Sequence, residues 1–119
     1  MGCCFIELRD RTVLKKIVEF CERIDSYIAR NKASKEAFMN DLMFQDACLM
    51  CVVQIGELVV LLHDDVKNLA KDVPWRIIKD TRNKYVHKYG TIDLDMVWAT
   101  LNKDIPKFKT DCEKLLELN

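Results

Sequence analysis

Apolar residues recur at helical spacing from Phe44 to Leu62, where Phe44, Ala47, Cys48, Cys51, Val52, Ile55, Val59 and Leu62 fall on one stripe. Met43, Met50 and Leu58 widen that stripe beyond what one packing partner covers. A helix this broadly apolar is expected to be buried on more than one side, as a bundle helix is when it also meets a second chain. The rest of the chain agrees with a helical class. Only 3 Gly and 2 Pro punctuate 119 residues, half of which are hydrophobic, so neither a turn-rich β fold nor disorder is expected. Residues 1–119 are about the length of one domain with one core. The predicted fold is therefore all-α, an up-and-down bundle of four or five helices.

The other helices announce themselves in order. From about Asp10 to Arg30, Leu14, Ile17, Val18, Cys21, Ile24 and Ile28 repeat at steps of three and four, with charged residues opposite. Residues 31–34 interrupt this helix, and Ser34 caps a short turn that brings Phe38 to the core. Asn40 or Asp41 starts the long central helix. Gly56, in its middle, costs about 1 kcal/mol relative to Ala and reads first as a tolerated glycine, a close backbone approach being the alternative. His63, Asp64 and Asp65 are adjacent and diverge by about 100° per residue, so they do not converge on one ion, and His63 reads as a histidine favoured by a helix C-terminus. Pro74 and Trp75 open a third helix in which Trp75, Ile78 and Tyr85 face the core together with Arg82, a cation that needs a partner there. A turn at residues 90–92 ends it. Asp93 caps a fourth helix carrying Leu94, Val97, Trp98 and Leu101, and a separate terminal helix runs from Asp104 to Leu118 with Pro106 in its first turn.

Charge is balanced, 19 Lys and Arg against 19 Asp and Glu, which excludes a global field for nucleic acid or an anionic membrane. Between Lys71 and Lys88, however, six basic residues face two acidic ones, a pattern that suits either a solvated helix face or an anion site. Six cysteines, with Cys21, Cys48, Cys51 and Cys112 in apolar periodic positions, read as reduced thiols of a cytoplasmic protein. The Cys48 to Cys51 spacing lacks a second ligand pair, so no metal is expected. No secretory signal is visible, Ile6 breaks the myristoylation pattern that Met1-Gly2 suggests, and the run from Cys48 to Leu62 falls short of a bilayer span, so no membrane is expected.

The chemistry is concentrated between Thr81 and Gly90. Arg82 supplies a rigid fork of donors for phosphate oxygens, His87 a proton exchanger near neutral pH, and Tyr89 a hydroxyl that can accept a transferred group. On a continuous helix Arg82 and His87 are separated by about 140° and roughly 7.5 Å, so one chain does not aim both at one atom. Either the helix ends or distorts near His87, or a second copy completes the site across a two-fold axis. Metal-independent RNA cleavage needs both a base and an acid, and two copies would supply two histidines.

The spacing of Arg82, His87 and Tyr89, R-x-x-x-x-H-x-Y, resembles the signature of the HEPN superfamily and of its HepT-like toxin branch. Phe38 with Asp41, Gly56-Glu57, Pro74-Trp75, Asp93, Trp98 and Pro106 are similar to further positions of that branch, so the resemblance covers most of the chain. It implies a bundle dimerising through the long central helices, with both motifs facing a basic cleft supported by Lys79, Lys84 and Lys88. It further implies a metal-independent endoribonuclease without cofactor, acting on RNA, tRNA among the candidates. In that reading Arg82 engages phosphate, His87 transfers protons and Asn83 positions them. The implied partners are a second copy and a minimal nucleotidyltransferase antitoxin that transfers AMP to Tyr89. The competing reading is a noncatalytic helical binding module or substrate-binding subunit for a nucleotidyltransferase, with Arg82 a structural cation paired to Glu57 or Asp41.

Overall fold

The computed structural model describes residues 6–87 and 92–118, except the side chains of Ile77, Tyr85, Val86 and His87. Every regular element among them is helical. Four long stretches make the bundle: α1 (Leu8–Arg30), α3 (Leu42–Leu61), α5 (Trp75–His87) and the pair α6 (Leu94–Ala99) and α7 (Ile105–Leu116), joined by a π-helical segment Thr100–Asp104. Two short helices, α2 (Lys35–Asn40) and α4 (Asp64–Leu69), turn the chain between them. The predicted all-α bundle is the observed one.

The helix starts follow the sequence chemistry. Ser34 Oγ accepts the Ala37 N–H at 3.1 Å, Asp41 accepts from Met43 and Phe44 at 3.0 and 3.3 Å, and Asp93 accepts from Asp95 and Met96 at 3.0 and 3.4 Å. In each case a side-chain oxygen satisfies first-turn amides that have no partner inside the helix. Phe38 is fully buried and packs edge-on against Phe44, with Trp98 beside both, so α2, α3 and α6 share one aromatic cluster. Trp75 packs edge-on against Phe108 and thereby ties α5 to α7.

The central helix packs on α1 along one side and α5 along another, which explains the width of its apolar stripe. Its width is not fully used: Leu42, Met43, Met50, Val60 and Leu61 are exposed. Beginning six residues before the apolar run seen in the sequence, the 20-residue helix is by length and composition long enough to cross a bilayer, which corrects the earlier expectation. Half of its apolar window is buried within the bundle, as in a core helix.

Three features depart from the sequence reading. Helix α4 was not expected, since its six residues are too few to show a period. The fourth and terminal helices are one rod, because the π-helical segment lets Ile105 N–H reach Thr100 O, and Pro106, which has no N–H to give, sits where the wider turn needs none. His63 is held by Asp10 rather than by a helix end: the carboxylate, 2 % exposed, accepts from the His63 backbone N–H at 3.2 Å and pairs with Nδ1 at 2.8 Å. At the next position of α1, Arg11 donates to the Leu116 and Leu118 carbonyls at 2.6 Å each, closing the C-terminus of α7.

Burial shapes the titration of the core thiols. It pushes Cys21 and Cys48 from an ordinary 9.0 up to about 12, and raises Cys112 as well. They behave as small apolar groups, as expected from their spacing. A folded pKa above the unfolded one means that the folded chain keeps protons the unfolded chain releases, so this stability is complete below about pH 9 and is lost as pH rises toward 12. Denaturant titrations from pH 8 to 11 should show stability nearly level to about pH 9 and falling above it, with a shallower fall in Cys21→Ala.

Candidate functional site

The site grows out of the contact between α3 and α5. Gly56 is buried on α3, and the Arg82 side chain leaves α5 directly against it. A Cβ built on Gly56 would stand under 3.0 Å from both Arg82 Cβ and Cγ, atoms that cannot swing away because they are the root of the side chain. The mid-helix glycine is therefore no passive tolerance: it is the room in which the arginine starts. This corrects the first reading of Gly56 and favours the close approach that was its alternative.

From that root the guanidinium reaches outward. One terminal nitrogen forms an ion pair with Glu57, the next residue on α3, and the other donates to Asn83 Oδ1, the next residue on α5. Nε is buried and has no hydrogen-bond partner among the described residues. The Arg82 side chain is 21 % exposed and Glu57 49 %, so the charge sits in the wall of the bundle with its tip at the surface. The competing reading of Arg82 as a structural cation paired it with Glu57 or Asp41; the partner is Glu57, and Asp41 spends its carboxylate on the α3 cap.

The helix runs unbroken from Trp75 to His87, so the separation of Arg82 and His87 by about 140° stands along its whole length. Positions 76, 80, 83 and 87 share one stripe of α5, about 100° or more from Arg82. Asn83 thus belongs to the register of His87 while its amide touches Arg82, and it links the two otherwise divergent sides. Lys79 and Lys84 are exposed, but Lys84 is turned roughly 200° from Arg82 and does not share its side. The His87 side chain, Lys88, Tyr89 and the expected turn at Gly90 and Thr91 lie outside the described residues.

A second cluster, Glu7, Asp10 and His63, brings three ligand-type atoms within 4.8 Å of one another. Arg9 Nη1 stands 3.0 Å from His63 Nε2, and a guanidinium can only donate. Nε2 must then accept, the ring proton lies on Nδ1 and is given to Asp10, and the imidazole has no lone pair left for a cation. The cluster is a clasp between α1 and the α3–α4 junction. Sequence reasoning missed it because His63 lies more than fifty residues from Glu7 and Asp10.

The Gly56 contact makes a direct prediction. Alanine would ordinarily gain about 1 kcal/mol over glycine in a helix interior. Here the added methyl meets Arg82, so Gly56→Ala is expected to lower stability by roughly 1–3 kcal/mol, read as a lower midpoint in urea unfolding at unchanged helicity.

Comparison with known proteins adds an independent line. The pattern of the ribonuclease HepT-like family matches residues 17–115. A protein of Thermococcus cleftensis named "Probable ribonuclease HepT" is 32% identical over 102 residues, covering 86% of this chain and 91% of the relative. A protein of Caldanaerobacter subterraneus named "Putative RNase" is 30% identical over 108 residues, covering 90% and 94%. Another of that name in Methanocaldococcus jannaschii is 27% identical over 108 residues, covering 90% and 89%. No solved structure matches. With the match running from the middle of α1 nearly to the end of α7, across the whole α3–α5 contact, the chain belongs to the HepT-like family of ribonucleases within the HEPN superfamily.

Proposed function

We propose that the chain is the toxin of a toxin–antitoxin pair, a metal-independent endoribonuclease that acts as a homodimer and is silenced by adenylylation of Tyr89. The observation that carries the reading is the presentation of Arg82: a guanidinium rooted in the bundle, held at two nitrogens, with its tip at the surface five residues before a histidine that ends the same helix. That is the form a phosphate-binding arginine needs, because a fixed fork meets phosphate oxygens without losing side-chain freedom at each turnover. The family of ribonucleases to which the chain belongs supports RNA as the substrate.

Cleavage then needs no metal step. Arg82 neutralises the non-bridging phosphate oxygens. One His87 takes the proton of the 2′-hydroxyl as its oxygen attacks phosphorus, and the partner's His87 gives a proton to the departing 5′-oxygen, leaving a 2′,3′-cyclic phosphate and a 5′-hydroxyl. The exposed strip of α3 supports the second copy. Met43, Met50, Val53, Val60 and Leu61 lie within about 60° of one line along the helix, and Glu57 lies in the middle of it. An isologous dimer through this strip would bring the two Arg82–Glu57 pairs to the seam. Control by a minimal nucleotidyltransferase follows the family resemblance: Tyr89 Oη attacks the α-phosphorus of ATP, pyrophosphate leaves, and the added AMP fills the cleft with bulk and negative charge.

Arg82→Ala and His87→Ala should each reduce cleavage of a labelled RNA by about a hundredfold or more while retaining helicity and dimerisation. Undiminished cleavage in both variants would refute the assignment. After co-expression with a nucleotidyltransferase partner, intact mass should rise by whole adenylyl groups, and Tyr89→Phe should show no such rise.

A further inference from the structure

The geometry points to Gly56 and Glu57 as a positioning clamp for Arg82, built on the neighbouring helix, that sets the angle at which its guanidinium meets a phosphodiester. The inference rests on the reading of Arg82 as the phosphate ligand and adds the residues that make it one. Two constraints act together. Gly56 fixes the root, since the Arg82 Cβ and Cγ occupy the space any side chain at position 56 would need. Glu57 and Asn83 fix the tip, each engaging a different terminal nitrogen. Each terminal nitrogen carries two hydrogens, so one on each remains for a phosphate, and the two stand in the plane that Glu57 and Asn83 impose.

Glu57 touches no reacting atom in this scheme, and it acts through Arg82. An opposite role can be formulated for the same contact, in which the carboxylate competes with phosphate and restrains the enzyme. The fixed root argues for the clamp: an arginine meant to be released from its carboxylate would gain from a free stem, whereas this one is confined from Cβ onward. The half-exposed position of Glu57 amid the apolar strip of α3 adds a further consequence, because a second copy packing there would remove water from the ion pair and tighten it.

The test is Glu57→Gln, which keeps shape and removes charge, in the full chain with a fluorescent single-stranded RNA. The turnover number is expected to fall on the order of 10–100-fold with KM changed little, as for a misplaced rather than a missing group. The midpoint of the pH profile should stay where it is, because His87 is untouched, and Glu57→Asp should recover part of the loss. Side-chain nitrogen-15 NMR gives a reading independent of cleavage: restricted rotation of the Arg82 terminal nitrogens in the wild type, lost in Glu57→Gln. Wild-type or faster turnover in Glu57→Gln, a loss confined to KM, or an Arg82 signal that remains restricted would each overturn the clamp. Should the wild type cut no RNA, the ribonuclease reading fails by itself, and the NMR comparison still decides whether Glu57 holds Arg82.

Discussion

A guanidinium set on the packed side of α5 obliges α3 to provide both room and a counter-charge, and it does so with two consecutive residues. Gly56 and Glu57 cannot be separated from the arginine they serve, and they fix more than its position. Because the contact is made at the root of the side chain, it also sets how closely the two helices lie and in what register. Ile78 and Trp75, about one and two turns earlier on α5, are then carried into the core. The rest of the bundle is arranged to support that pairing: α1 covers the other side of α3, α7 covers α1, and the Trp75–Phe108 contact fastens the end of α5 to α7.

The parts of this arrangement that depend on near neighbours in the chain could be read from it. Ser34 and Asp93 cap the helices they were expected to cap, Asp41 is the one of the two candidates Asn40 and Asp41 that caps the central helix, and the stripe from Phe44 to Leu62 marked that helix, since both signals come from residues within a turn or two of each other. The arginine's need for a partner was also legible, because its face of the helix was otherwise apolar. What could not be read was set by distance along the chain. The Asp10–His63 clasp and the Arg11 closure of α7 join residues 53 or more apart, and no local period records them. Gly56 was misread for the same reason: its cost is local, and its use lies 26 residues away.

Family membership and site geometry constrain different things. The match over residues 17–115 assigns the chain to a group of ribonucleases without saying which atoms do what. The α3–α5 contact shows how one cation is rooted, paired and aimed, and it would mean little by itself, since buried arginines paired to carboxylates are also found where no chemistry occurs. Together they narrow the question to whether the confinement of Arg82 serves a substrate.

The π-helical segment lets the last rod pass its proline without a break. By α-helical spacing its buried residues, Val97, Leu101, Ile105, Phe108, Cys112 and Leu115, keep to one arc of about 80°. In a regular helix Pro106 would leave the Asn102 carbonyl without its donor and press the ring against it. At Thr100–Asp104 the wider turn has Ile105 N–H reach Thr100 O instead, so a single apolar stripe continues along the core through a residue that ordinarily ends a helix.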